Sequence, residues 1–137
     1  MTYLVDTNVV SELRKRHPAA AVASWRDAVA ADELHLSALV VGEIRHGIER
    51  LRRRDRSQAA TLERWLGALK HEFGDRILPV TTPVAEAWGG LTTPDPLPIV
   101  DGLIAATALV HGLTLVTQEA QRLERTGISV LDPWQYA

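Results

Sequence analysis

Tyr3-Leu4-Val5-Asp6-Thr7-Asn8-Val9-Val10 decides how this chain folds. A short apolar run ends in an acid, and two small polar residues lead into a second apolar run. The first run suits a buried strand. The second suits a short helix to about Arg14, with Thr7 or Asn8 as candidate caps. Asp6 then stands where strand gives way to helix. Related layouts recur downstream. Leu34-His35-Leu36 precedes the helical stretch that carries Glu43, Asp101 heads an Ala-rich helical stretch, and Leu113-Thr114-Leu115-Val116 leads to Glu119. If the apolar runs are parallel strands, acids of this kind gather at the carboxyl edge of one sheet, where open α/β sheets bind ligands.

The remaining segments fit that alternation. Pro18 is expected to open a second helix that runs through Trp25 to about Ala30. Ser37 can cap a helix from Ala38 to about Arg52, striped by Val40, Ile44, Ile48 and Leu51. A helix over 57–73 sets Leu62, Trp65, Leu66 and Leu69 on one face, with Gly74 as its stop. A strand at 76–80, a helix from Pro83 to Leu91, a loop over 92–98 and a helix over 99–111 follow. The last pieces are a strand at 113–117, a short helix at 119–125 and a strand at 128–131. Five short strands alternating with helices imply an α/β fold with a five-stranded parallel sheet, right-handed crossovers and helices on both faces, in three α/β/α layers.

A length of 137 residues favours one domain spanning 1–137, and 46% apolar content supports a folded core. Cysteine is absent, which excludes disulfides, thiolate zinc sites and a thiol nucleophile and suits the cytoplasm. The start lacks the pattern of a signal peptide, and the apolar stretch around Leu103 to Val110 is too short to span a bilayer. With a formal net charge of −2, a nucleic-acid partner must be held by local basic patches. One candidate runs from Arg45 to Arg56, and Arg14-Lys15-Arg16-His17 is a smaller one. The plainer reading of each is a solvated helix face or end. The four tryptophans read as packing residues.

Taken singly, each acid has a plainer role. Asp6 can cap a helix, Glu43 can be a surface glutamate, and Asp101 and Glu119 can favour the starts of helices. Asp101 is the most telling, because it precedes Ile104 and Ala105 on the face expected to be buried together with Ala108 and Leu109. Asp95 offers that helix another cap. Taken together, the acids need a cation. At an effective dielectric near 20, two carboxylates about 5 Å apart repel by roughly 3 kcal/mol. An all-oxygen donor set points to Mg²⁺ or Mn²⁺ rather than zinc. The histidines show no metal-binding spacing, which agrees.

The ordered set Leu4-Val5-Asp6-Thr7-Asn8-Val9-Val10-Ser11-Glu12, Leu36-Ser37-Ala38-Leu39-Val40-Val41-Gly42-Glu43-Ile44, Val100-Asp101-Gly102-Leu103-Ile104-Ala105-Ala106-Thr107-Ala108, Leu115-Val116-Thr117-Gln118-Glu119 and Leu131-Asp132-Pro133-Trp134 resembles the PIN-domain ribonucleases. Within them it is similar to the VapC-type toxins of bacterial type II toxin–antitoxin pairs, in the FitB-like branch. The resemblance implies a PIN-like fold and a metal-dependent endoribonuclease. It implies that Asp6, Glu43, Asp101 and Glu119 are catalytic and hold Mg²⁺ or Mn²⁺, with Thr7, Asn8, Ser37 and Thr117 as supporting polar groups. It further implies an RNA substrate, a homodimer, and a VapB-like antitoxin whose C-terminal segment fills the acidic groove. Two positions depart from the family's pattern. Gln118 and Glu119 follow Thr117 where Asp or Asn is common, and Arg122 stands where some members carry a further Asp.

Other classes fit less well. A phosphotransfer receiver needs an acidic pair after the first strand and a Lys after the last, and lysine occurs only at 15 and 70. A haloacid-type phosphatase needs D-x-D, and here Asn8 takes the third place. The remaining alternative is a catalytically silent binding protein on the same fold, acting through its partner complex.

Overall fold

Residues 1–91 and 96–137 are described in the computed structural model of the chain. The apolar runs pair as one five-stranded sheet: β1 (Tyr3–Val5), β2 (Leu34–Ser37), β3 (Ile77–Leu78), β4 (Thr114–Val116) and β5 (Val130–Leu131). All pairs are parallel and the spatial order is β3-β2-β1-β4-β5. Successive strand residues point to opposite faces, yet Tyr3, Leu4 and Val5 are all buried. Both faces of the central strand are therefore covered, which is why its sequence is continuously apolar rather than alternating.

The strand order locates a crevice. From β1 the chain adds β2 and β3 on one side, then crosses back to place β4 on the other. The carboxyl ends of β1 and β4 thus flank a topological switch point, the usual binding position in such sheets. The two strands are in register over Tyr3 with Thr114, Leu4 with Leu115 and Val5 with Val116. Asp6 N donates to Val116 O at 2.9 Å, extending that pairing to the rim.

Seven α-helices connect the described strands: α1 (Thr7–Arg14), α2 (Ala20–Ala28), α3 (Ala38–Arg52), α4 (Arg56–Phe73), α5 (Thr82–Gly90), α6 (Ile99–His111) and α7 (Ala120–Leu123). Ser37 caps α3, its hydroxyl accepting from Leu39 N at 3.1 Å, and Val40, Ile44 and Ile48 bury the expected stripe. Helix α4 buries Ala59, Leu66 and Phe73 and packs back on α3 as an antiparallel hairpin. Helix α6 ends at Gly112, whose φ of 65° is the left-handed conformation glycine tolerates best. Where α6 meets α5, Gly102 lies against the Trp88 indole, and a Cβ there would stand 2.9 Å from the ring. Trp25, only 1% exposed, meets Tyr3 edge-on at 5.5 Å within the core.

Several expectations are corrected. Helix α1 begins at Thr7 because Asp6 is itself the cap, its carboxylate accepting from Thr7 N, in place of Thr7 or Asn8. Pro18 does not open α2, which starts at Ala20 without a side-chain cap and ends at Ala28. Helix α4 starts at Arg56, where Asp55 accepts from Gln58 N. Strands β3 and β5 keep two residues each of the longer runs expected. Leu109 is half exposed rather than buried, and the buried face of α6 includes Ala106 and Thr107 instead. Trp88 is 39% exposed, so packing accounts for it only in part. Residues 92–95, including the proposed Asp95 cap, lie outside the described residues, and Pro98 occupies the cap position of α6. No helix among the described residues is long and apolar enough to cross a membrane.

Candidate active site

Asp6 follows β1 directly, so the sheet fixes its backbone while its side chain faces the rim. One carboxylate oxygen accepts from Thr7 N and the other from Thr117 Oγ1, both at 2.8 Å. Thr117 is fully buried at the end of β4 and acts as a junction. Its hydroxyl donates to Asp6, and it accepts from Asn8 Nδ2 at 3.3 Å and from Glu119 N at 3.1 Å. Asn8 Oδ1 accepts in turn from Gln118 N at 3.2 Å. These bonds tie the loop after β1 to the loop after β4, across more than a hundred residues of sequence.

Glu43 arrives from α3. Its carboxylate accepts from Thr7 Oγ1 at 2.6 Å, which joins the first turn of α1 to the second turn of α3. Asp101 lies in the first turn of α6 and Glu119 at the start of α7. Asp6, Asp101 and Glu119 line one small cavity together with Leu97, Ile104, Leu115, Arg122 and Leu123. Its volume of about 10 Å³ is close to the room one water-sized occupant requires.

The electrostatics follow from that crowding. Burial pushes the Asp6 carboxyl above its ordinary value, and the charges of Glu43 and Glu119 push it further, against the hydrogen bonds from Thr117 and Thr7. Burial also raises Asp101, helped by Asp6 and Glu119 and opposed by Arg122. Each acid therefore holds its proton more tightly than an isolated aspartate, and a cation nearby would reverse that preference.

A hard divalent ion fits this donor set by its chemistry, since the groups are carboxylate oxygens backed by hydroxyl and amide groups. The acids share a rim without enclosing an ion: no three acidic or imidazole groups among the described residues form a closed metal-binding set. Of the supporting residues expected from sequence, Thr7, Asn8 and Thr117 bond within the rim. Ser37 is buried and serves instead as the α3 cap. Arg122 and Leu97 complete the cavity; the sequence marks position 122 only as a departure from the family's further Asp, and gives Leu97 no place in the site. Arg122 follows Glu119 by three residues, one turn of helix, and that spacing is the signal that it shares the site.

The chain belongs to the PIN domain family, which it matches over residues 3–128. It is 32% identical to the VapC ribonuclease Y4jK of Sinorhizobium fredii, covering 98% of this chain and 99% of the relative. It is 32% identical to Toxin FitB of Neisseria gonorrhoeae, covering 96% and 97% respectively. The crystal structure of FitAcB from Neisseria gonorrhoeae superposes with a TM-score of 0.90 at 31% identity, covering 98% of this chain and 99% of that one.

Proposed function

We propose that this protein is a divalent-metal-dependent endoribonuclease and the toxin of a bacterial type II toxin–antitoxin pair. The observation that carries the reading is the convergence of Asp6, Asp101 and Glu119 on one cavity at the switch point, with Asp6 and Asp101 both held above their ordinary ionisation range. Family membership and relatives named as a ribonuclease and a toxin support it. In this reading residues 1–137 work as one domain in the cytoplasm, where the RNA is.

Asp6, Asp101, Glu43 and Glu119 would hold Mg²⁺ or Mn²⁺. When bound, the ion supplies a lowered pKa for an attacking water and stabilises charge on the phosphoryl oxygens. The protein's own contribution is positional. Thr7 N and Thr117 Oγ1 fix both oxygens of Asp6, so its carboxylate cannot rotate freely. Thr7 Oγ1 holds Glu43 toward the same rim. Leu97, Ile104, Leu115 and Leu123 exclude bulk water from the cavity wall, which strengthens the electrostatic terms inside. Arg122 offers a cationic group to an incoming phosphate.

The partner we expect is a VapB-like antitoxin. A groove of about 260 Å³, where Val10, Leu13, Trp65, Leu69 and Phe73 are bordered by Arg14, Arg26 and Glu72, offers an amphipathic segment of it both apolar and charged contacts. A homodimer contact on α6 would cover Leu109 and Val110, which are 50% and 40% exposed.

The silent-protein alternative is favoured by one feature: Arg122 stands in the cavity, and the acids do not close on an ion by themselves. Cleavage of single-stranded RNA in Mg²⁺ or Mn²⁺ by the wild type, beside Asp6→Asn and Asp101→Asn, separates the two. Cleavage lost in both variants supports the enzyme. Equal activity in all three chains, or Mn²⁺ titration without binding, removes it.

A further inference from the structure

The sequence between Arg45 and Arg56 carries six arginines; Arg56 opens α4, and the fold sorts the other five into two kinds. Arg45 and Arg52 are consumed by structure. Arg45 reaches Glu49 at 3.1 Å and Glu63 at 2.6 Å, and Arg52 reaches the same two acids at 3.0 and 3.3 Å. This network clips α3 to α4. Arg50, Arg53 and Arg54 make no ion pair or side-chain hydrogen bond among the described residues. Instead they line a cleft of about 330 Å³ with Gly47 and Leu51, and no acidic group is part of its wall. Nothing lies within 4 Å of the position a Gly47 Cβ would take, so the floor of the cleft is open. Three exposed cations side by side repel one another, and on a chain of net charge −2 the repulsion is a local choice rather than a general basicity.

The position of the cleft connects it to the rim. Glu43, Gly47, Arg50 and Arg54 are spaced four, three and four residues apart, which puts them on one face of a helix. Arg53 still has helical backbone angles, so the stripe runs on past the formal end of α3. At 1.5 Å per residue, Arg50 lies about 10 Å along the axis from Glu43 and Arg54 about 16 Å. Glu43 is bonded to Thr7 at the rim. An extended polyanion lying along this face would touch the arginines at one end and the carboxylate cavity at the other.

We propose that Arg50, Arg53 and Arg54 form a phosphate-binding cleft that holds the backbone of single-stranded RNA while a neighbouring phosphodiester sits at the Asp6–Asp101 cavity. The substrate class rests on the ribonuclease reading above. The cleft positions RNA without reading its sequence, because guanidinium–phosphate contacts carry no base information. Substrates too short to reach from the cavity to Arg50 gain nothing from it.

The test is binding, measured without catalysis. Fluorescence anisotropy follows a 20-nucleotide single-stranded RNA on the full chain carrying Asp101→Asn, over a range of salt concentrations. Adding Arg50→Glu and Arg54→Glu should weaken binding about ten-fold or more and lower the salt slope by roughly 1.4, about 0.7 for each phosphate no longer neutralised. Arg50→Lys with Arg54→Lys should restore most of the affinity, and Arg45→Ala should leave affinity and slope unchanged. Both target arginines are exposed and unpaired, so thermal melts should match the parent. Unchanged affinity in the glutamate variant, or an equal weakening in Arg45→Ala, overturns the proposal. A wild-type chain that never cleaves RNA, yet binds the 20-mer through Arg50 and Arg54, would sink the ribonuclease reading and keep the cleft.

Discussion

The rim acids and the acids of the α3–α4 hairpin meet opposite treatment. Glu49 and Glu63 are each flanked by Arg45 and Arg52, which hold their carboxyls below the ordinary range. Asp6 and Asp101 are partly buried beside other acids and are pushed upward. The hairpin pairs these two acids and uses them to fasten two helices. The rim gathers three acids around one cavity with only Arg122 to offset them, where burial makes unpaired charge most costly. Charge that a fold neutralises within itself is explained by the fold. Charge that it concentrates and leaves open calls for something from outside, here a cation.

That contrast is broken most directly at the rim. Replacing Asp6 or Asp101 by Asn should lower RNA cleavage by more than the roughly 10- to 100-fold typical of residues that only support a metal site. Single-turnover cleavage at saturating Mn²⁺ measures it, and activity within a few-fold of wild type would place the chemistry elsewhere. Thr117→Val comes next. It removes the hydroxyl that bonds Asp6, so activity should drop by about 10- to 100-fold. The same hydroxyl lowers the Asp6 pKa, so the acidic limb of the pH–rate profile should move to higher pH. A profile that drops in height without moving would mean that Thr117 acts only through packing.

A smaller effect sharpens the comparison through stability. Asp101 has a folded-state pKa raised above its unfolded value. As pH rises through that interval the unfolded chain gives up the proton first, so the folded state loses stability and stays weakened above the folded pKa. Below the unfolded value, about 3.9 for aspartate, the penalty is absent. Asp101→Asn should therefore raise the melting temperature of the metal-free protein by about a few degrees at neutral pH and leave it unchanged near pH 3. A drop in melting temperature at pH 7 would show that the charge is already compensated. Smallest of all, Glu63→Gln on the hairpin should move the melt by no more than experimental scatter, because exposed ion pairs contribute little. A large destabilisation there would erase the distinction between the two regions.

Much of this was legible in the sequence because it is local. Ser37 before Ala38, the Val40–Ile44–Ile48 stripe and Gly112 after the α6 run each carry their own physical signal, and each appears as expected. Asp6 and Glu119 stand out because strand-to-helix junctions are visible as composition changes, whereas Asp101 and Glu43 lie within α6 and α3, and of the four acids Asp6, Asp101 and Glu119 share the cavity. The order β3-β2-β1-β4-β5 has no local signature, and without it the meeting of Asp6 with Thr117 could not be read. Capping misled at Asp6, since three adjacent residues can all cap and only the pairing of Asp6 N with Val116 O settles which one leaves the sheet. Leu109 misled for the opposite reason: periodicity marks an apolar face but does not say whether the chain's own core covers it.

Gly102 ties the aperture of the cavity to the thickness of an indole. Because α6 rests on Trp88 with no room for a methyl group, and Asp101 is the preceding residue, the lever arm from that contact to the carboxylate is a single peptide unit. A swap to alanine at 102 would act as a shim, tilting the helix or displacing the ring. Either way, a residue that touches no charged group would set how wide the acidic mouth stands.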